Sequence, residues 1–185
     1  MTPPATIPPS DARVQLEEAA DRHFYRDGIV GVTVAAIRDE SGLSLRRIYD
    51  LCPSKADLIS LWLRHRHTLW IEEFTRAVDS ETAAGATPVD AVFLALERWV
   101  IDTEFRGCGF INTHAEASEL TDEHVAIIQQ HKRAVADYLD DLVGHGDAMG
   151  VLVDGAIVQA AMFASVEPIH AARAAAAALV TTAGA

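Results

Sequence analysis

Gly42 separates two short segments that each carry the signals of a helix. Thr33 is suited to cap the first segment, because its hydroxyl can accept a hydrogen bond from an N–H of the first turn. Gly42 is suited to end that helix in a left-handed conformation, and Ser44 to cap a second helix over Leu45–Leu51. Pro53 ends the second helix, since the residue before a proline disfavours helical angles. The spacing predicts two short helices joined by a tight turn.

Helical signals continue on both sides of this unit. An apolar stripe with helical spacing predicts a first helix over about 11–26, formed by Leu16, Ala19, Ala20, His23 and Phe24. Ser54 and Asp57 have the spacing of a capping box and predict a long fourth helix to about Asp79. Further helices are predicted from Thr87, over about 110–120, from Thr121, and over about 151–164 and 167–181. Loops are predicted at 81–86 and, because it is rich in glycine, at 144–150.

Composition favours an all-α fold, since alanine is abundant and half of the 185 residues are apolar. Four prolines among the first nine residues predict a disordered tail over 1–10. The N-terminus lacks the pattern of a signal peptide, and no apolar run approaches the roughly 18 residues of a membrane span. Cys52 and Cys108 are far apart, which favours a reducing compartment. We therefore expect a cytoplasmic protein without a membrane partner.

The net charge of −12 is unevenly distributed. Residues 11–66 hold nine basic and nine acidic side chains, which cancel, whereas the remainder holds six basic and eighteen acidic ones. All the excess acid therefore lies outside the N-terminal third. A neutral module with clustered arginines can still bind phosphates, while an acidic body would help to orient its approach to DNA; ordinary solubilising charge is the alternative explanation.

Four short motifs in and after the two-helix unit occur in a recognisable order. They are Thr-Val-x-x-Ile at 33–37, Gly-Leu-Ser at 42–44, Ile-Tyr at 48–49 and Pro-Ser-Lys-x-x-Leu at 53–58. Together with the first helix they resemble the TetR family of bacterial transcriptional regulators over about 14–63. Beyond that, the resemblance lies in helix number and spacing and in the Arg106–Asn112 stretch. It implies a helix-turn-helix DNA-binding domain over 11–53 and a helical ligand-binding and dimerisation domain over 54–185, with a homodimer formed by the last two long helices.

The resemblance also implies which residues contact a double-stranded DNA operator: Thr33, Ser44, Leu45, Arg46, Arg47, Tyr49 and Lys55. Leu45 and Ile48 are expected to point into the core, and either arginine could read guanine through two hydrogen bonds. Asp50, Leu51 and Cys52 depart from the aromatic or histidine pair that many members carry. Asp50 would repel phosphate unless it pairs with Arg46 or Arg47 or accepts from a cytosine amine.

A second set of residues is expected to converge in the larger domain and to line an effector pocket. It comprises Trp99, Phe105, Phe110, Asn112, His114, Tyr138 and Met162, although each of them taken alone is better explained as ordinary core. His124 and His131, with His114 and Glu116 upstream, could form a metal site, but their spacing is loose. A redox role for either cysteine is a further alternative to simple burial. We predict no metal and no cofactor.

These patterns predict a dimeric repressor that a small-molecule effector releases from its operator. An enzyme is disfavoured, because the sequence has no nucleophilic triad, phosphate-binding glycine loop, paired metal ligands or close carboxylate pair. The alternative is a helical protein-interaction module with a degenerate DNA-binding domain, which Asp50 and the acidic body make possible.

Overall fold

The computed structural model describes residues 8–116 and 120–183, and over these residues the regular secondary structure is entirely helical. The predicted all-α fold is therefore confirmed. The helices are α1 (Pro9–Asp27), α2 (Val34–Ser41), α3 (Leu45–Leu51), α4 (Lys55–Ala83), α5 (Pro88–Val100), α6 (Gly109–Glu116), α7 (Asp122–Val143), α8 (Gly146–Phe163) and α9 (Glu167–Ala183).

The helices α1 to α3 pack around a small apolar core, and we call these three helices the DNA-binding unit after the role that the resemblance implies. Its buried side chains include Leu16 and Phe24 from α1, Ile37 from α2 and Ile48 from α3. The predicted caps are present, because the Thr33 hydroxyl accepts from the Ala36 amide at 3.2 Å and the Ser44 hydroxyl from the Arg47 amide at 3.2 Å. Gly42 has φ 68°, the left-handed conformation expected of it.

The helices α4 to α9 form a larger helical body, in which α8 packs against both α7 and α9. The predicted loop over 144–150 is wrong, because α8 already begins at Gly146. A Cβ at that position would overlap the Ala136 carbonyl oxygen of α7, and the Gly146 amide donates to Asp140 Oδ1 at 2.9 Å. Gly146 thus serves close helix packing, and the turn between the helices is confined to Gly144 and His145.

Several predicted boundaries differ in smaller ways. The long helix α4 continues to Ala83, so the predicted loop over 81–86 begins later than expected. The helix predicted over 110–120 begins at Gly109 and is described to Glu116, and 117–119 lie outside the described residues. Residues 1–7 of the predicted tail also lie outside them, and α1 already begins at Pro9. The predicted domain boundary falls in the turn between α3 and α4.

By length and composition alone, α8 is apolar enough to cross a membrane, contrary to the expectation from the sequence. Asp147 and Asp154 interrupt its sequence without lowering its average hydropathy below that of a span. This criterion is weak evidence, because a helix in the core of a soluble protein can also meet it. The contacts of α8 with α7 and α9 place it within the helical body.

Candidate nucleic-acid interface and interdomain contacts

The outward face of α3 presents basic and hydroxyl side chains. Arg46 and Tyr49 are exposed, and Arg47 is half-buried. Leu45 was expected to point into the core, but 38% of its surface is exposed, because its position in the first turn lies beyond the contact with α1 and α2. Ile48 is buried as predicted and holds the inner face of the helix. Because only one side of this short helix is anchored, its other side is free for a partner.

The pairing of the arginines distinguishes this face from the rest of the DNA-binding unit. Arg13, Arg22, Arg26 and Arg38 each form an ion pair with a carboxylate. Within the part of the chain that the structure describes, Arg46 and Arg47 form none. Asp50 is exposed and does not pair with either of them there. The two cations of α3 are therefore available to an anion from outside.

The remaining predicted DNA contacts border the same face. Thr33 and Ser44 lie at the N-termini of α2 and α3, where backbone amides favour an anion. Lys55, in the first turn of α4, donates from Nζ to the Val30 carbonyl at 3.3 Å. Its ammonium has two further hydrogens for another acceptor. Asp57 occupies the capping box of α4, because its carboxylate accepts from the Ser54 amide at 2.9 Å.

A carboxylate of the body holds the turn that leads into α2. Glu116, at the end of α6, accepts from the amides of Ile29 and Val30, each at 2.9 Å. A Cβ at Gly28 would lie 2.5 Å from the same carboxylate, so only glycine permits this approach. Hydrogen bonds from backbone amides to a carboxylate are charge-assisted and stronger than neutral ones. Glu116 was considered only as a metal ligand from the sequence, and its isolated position gave no signal of this role.

A tyrosine provides a second connection between the two regions. The Tyr25 hydroxyl of α1 donates to the Gly107 carbonyl at 3.0 Å and accepts from the Arg106 amide at 3.0 Å. The Arg66 guanidinium of α4 lies 3.7 Å from the centre of the Tyr25 ring, and Arg66 also pairs with Asp21. The end of α1 is thus attached to both α4 and the segment before α6.

The body contains a connected group of aromatic rings, which we call the aromatic cluster: Trp70, Phe74, Trp99, Phe105, Phe110, His131 and Tyr138. Neighbouring ring centres lie between 3.7 and 6.0 Å apart. The cluster includes Trp99, Phe105, Phe110 and Tyr138, which were predicted to line the effector pocket. Asn112 and His114 are exposed on α6, and Met162 is exposed on α8, so none of these three is enclosed with them. Their roles toward a ligand stay predictions.

Two histidines meet at the edge of this cluster. The Nδ1 atoms of His67 and His131 lie 3.1 Å apart, and the His131 ring stacks on Phe110 with centres 3.7 Å apart. Burial and the nearby Lys132 charge lower the pKa of His131 to about 2, and burial also lowers the pKa of His67. Both rings are therefore neutral, and one Nδ1–H donates to the other nitrogen. The i, i+3, i+7 spacing of His67, Trp70 and Phe74 on α4 was a usable signal for this face.

His124 has a structural role and is not solvated. It is buried, its Nδ1 accepts from the Thr121 amide at 3.3 Å, and Nε2 lies 2.9 Å from the Ala56 carbonyl. It thus caps α7 and ties that helix to the start of α4. Among the described residues, no group of three or more His, Cys, Asp or Glu side chains is arranged to hold a metal ion.

Two short capped helices, with a free basic face on the second, define a helix-turn-helix DNA-binding protein. The chain is 30% identical over 166 residues to the HTH-type transcriptional regulator TtgR of Pseudomonas putida, covering 85% of this chain and 77% of TtgR. It is 31% identical to the probable HTH-type regulator ArpR of Pseudomonas putida, over 69% of this chain and 60% of ArpR. No protein-family model matches the chain.

Solved structures with a similar fold belong to the same class of regulators. The TetR-family regulator SCO4454 of Streptomyces coelicolor superposes with a TM-score of 0.76 at 25% identity, over 94% of this chain and 96% of that one. Reduced NemR of Escherichia coli has the same TM-score at 17% identity, over 90% and 95%. This chain belongs to the TetR family of transcriptional regulators, as its motifs indicated, and it is a DNA-binding regulator. Its relatives are transcriptional regulators.

Proposed function

We propose that this chain is a cytoplasmic, homodimeric repressor whose α3 helices enter the major groove of an operator and leave it when a small molecule occupies the helical body. The observation that carries the DNA-binding part is the absence of acidic partners for Arg46 and Arg47 among the described residues, while the other arginines of the DNA-binding unit are paired. Free guanidinium groups on an exposed helix face suit phosphates and guanine edges.

The contacts to DNA divide into positioning and reading. Thr33, Ser44, Tyr49 and Lys55 border α3 and are placed to hold phosphates, which set the register of the protein on the duplex. Arg46 and Arg47, with Leu45 beside them, face the base edges. Each bidentate arginine–guanine contact discriminates by about 1–3 kcal/mol.

The dimer is supported by apolar surface at the end of α8. Met162 and Phe163 are 74% and 68% exposed, and Val151 is exposed at the other end of the helix. Ile169 of α9, in contrast, is fully buried and does not belong to this exposed surface. A second copy covering α8 and α9 would remove this surface from water. Two α3 helices would then lie about 34–36 Å apart, one turn of DNA.

Effector release requires a physical link between the body and α3, and α6 supplies contacts at both of its ends. Phe110, near its start, stacks on His131 in the aromatic cluster. Glu116, at its end, holds the amides of Ile29 and Val30 ahead of α2. A ligand that shifts Phe110 would therefore displace the turn that precedes Thr33. A coupling of about 1–3 kcal/mol suffices for a useful switch.

Selection of bound duplexes from a random pool, followed by a salt titration, tests the proposal. We expect a site with two-fold symmetry and half-sites one helical turn apart, and an affinity that falls steeply with salt because phosphate contacts release counterions. Sedimentation of the free protein should give a dimer. Weak binding without sequence preference would instead favour a protein-interaction module with a degenerate DNA-binding domain.

A further inference from the structure

A cleft of about 330 Å³ lies between the DNA-binding unit and the body. One wall is α1, with Asp21 and Tyr25, and the opposite wall is formed by α4, the end of α5 and the turn after it. Trp99 and Phe105 of that second wall contact each other edge to face, with ring centres 5.0 Å apart. The cleft therefore presents aromatic surface to a space bordered by both regions.

A smaller recess of about 150 Å³ adjoins this cleft and shares Arg66, Glu73 and Trp99 with it. Its inner lining is apolar and includes Trp70 and Phe74, which stack with ring centres 4.6 Å apart. Trp70 also meets the edge of Trp99 at 5.9 Å. An aromatic recess thus opens into a wider polar mouth, with a combined size in the range of small-molecule sites.

The charges around the mouth are unequally compensated. The three arginines that line it each form an ion pair: Arg22 with Glu40, Arg26 with Asp27, and Arg66 with Asp21. Within the described residues, the carboxylates of Glu73 and Glu104 form no ion pair, although Glu104 acts electrostatically on Arg26, and the Asp102 carboxylate accepts the Glu104 amide at 2.8 Å. The uncompensated charge facing the mouth is therefore negative.

We infer that the cleft and its recess form a binding site for an organic cation whose charge is carried on a flat apolar body. The flat apolar part of the ligand would enter between Trp70, Phe74 and Trp99. Its cationic group would lie between the ring faces and the carboxylates of Glu73 and Glu104. Aromatic faces attract cations through their quadrupole, and the carboxylates add a Coulomb attraction. An anion would meet unpaired carboxylates, and a neutral analogue would gain only the apolar contacts.

This inference rests on the proposed function, for which it supplies a class of effector. Because one wall of the cleft is α1 and the other is the body, an occupant would touch both regions that must move relative to each other. It would lie beside the Tyr25 hydroxyl bonds to Arg106 and Gly107. Binding here therefore biases the position of the DNA-binding unit directly.

Titration calorimetry with three probes that share the same naphthalene ring system tests the site. The probes are (2-naphthylmethyl)trimethylammonium, 2-naphthylmethanol and 2-naphthylacetate. We expect the cation to bind about tenfold more tightly than the alcohol, and the acetate to bind least. Glu73→Gln should reduce the preference for the cation severalfold, whereas Glu72→Gln, its exposed neighbour outside the cleft, should leave it unchanged.

A second measurement separates this inference from the proposed function. Binding of the dimer to its selected duplex is followed without probe, and then with the cation and with the alcohol. Release by the cation alone, diminished in Glu73→Gln, supports the inference. Equal binding of cation and alcohol, or an unchanged preference in Glu73→Gln, overturns it while DNA binding without probe still stands. If the protein does not bind DNA in the absence of any probe, the proposed function is overturned instead.

Discussion

The DNA-binding unit and the helical body use their polar groups in opposite ways. On the outer face of α3, Arg46 and Arg47 are left without acidic partners among the described residues. In the body, polar side chains turn inward: His67 and His131 meet at 3.1 Å within an aromatic cluster, and Lys132 pairs with Asp154. The outer face of α3 thus leaves its cations to an outside partner, whereas these side chains of the body satisfy one another.

This difference shows where substitutions should act. Changes on α3 should alter binding and leave stability intact, because the side chains involved make few internal contacts. Changes at buried helix contacts of the body should alter stability first, because close-packed side chains there have little space for adjustment. Contacts between the two regions should affect both properties weakly.

The largest expected effect is on DNA affinity. Arg46→Ala combined with Arg47→Ala should weaken binding to the selected duplex at least about 30-fold, since each lost bidentate contact with a base costs about 1–3 kcal/mol. The melting temperature should change little. Fluorescence anisotropy and thermal unfolding measure the two quantities. Arg133→Ala, another exposed arginine, is the control, and an equal loss of affinity in it would remove α3 as the reading helix.

The next effect concerns packing of the body. Gly146→Ala should reduce the free energy of unfolding by about 3 kcal/mol, because the added Cβ meets the Ala136 carbonyl oxygen. Gly150→Ala in the same helix is the control, since its Cβ would lie 3.8 Å from that of Ala136. It should stabilise α8 by about 0.5–1 kcal/mol. Urea unfolding compares them, and equal stabilities would contradict the close approach of α7 and α8.

The buried histidine pair predicts a pH dependence of stability. His131 has a pKa of about 2 in the folded chain, so below its ordinary value of about 6.5 only the unfolded chain gains the proton. Stability should therefore be complete at neutral pH and fall as the pH drops, by about 1.4 kcal/mol at one unit below 6.5. His131→Phe should show a shallower decline between pH 7.5 and 5.5. An identical slope would mean that His131 is accessible and protonated in the folded state.

The smallest effect is expected where the two regions meet. Glu116→Gln removes the charge and replaces one of the two oxygens that accept from Ile29 and Val30 by an NH2 group, which cannot accept. Exchange of these two amides with deuterium should accelerate about tenfold, corresponding to about 1.4 kcal/mol. The DNA affinity of the free protein should remain within a few-fold of the unchanged chain. Unaltered exchange at both amides would show that the turn does not depend on α6.

The DNA-binding unit was predictable from sequence because its signals are local. Thr33, Gly42, Ser44 and Pro53 act on backbone groups within one helical turn, so their effects do not depend on distant contacts. The packing of Leu45 was the exception, because the curvature of the surface around α3 decides whether its first turn is covered. In the body, the glycines over 144–150 predicted a loop, but Gly146 lies in α8. Glycine occurs both in loops and at close helix contacts, and only the packing of α7 against α8 distinguishes the two.

The amino-acid order alone therefore determined the helical class, the family and the two short capped helices α2 and α3, since caps, turns and periodicity act over three or four residues. Tertiary structure alone brought His67 to His131, Glu116 to the amides of Ile29 and Val30, and the rings of Trp70 and Trp99 to one cleft. These partners are far apart in the sequence, and the distances between them depend on how whole helices pack. No local rule encodes those distances.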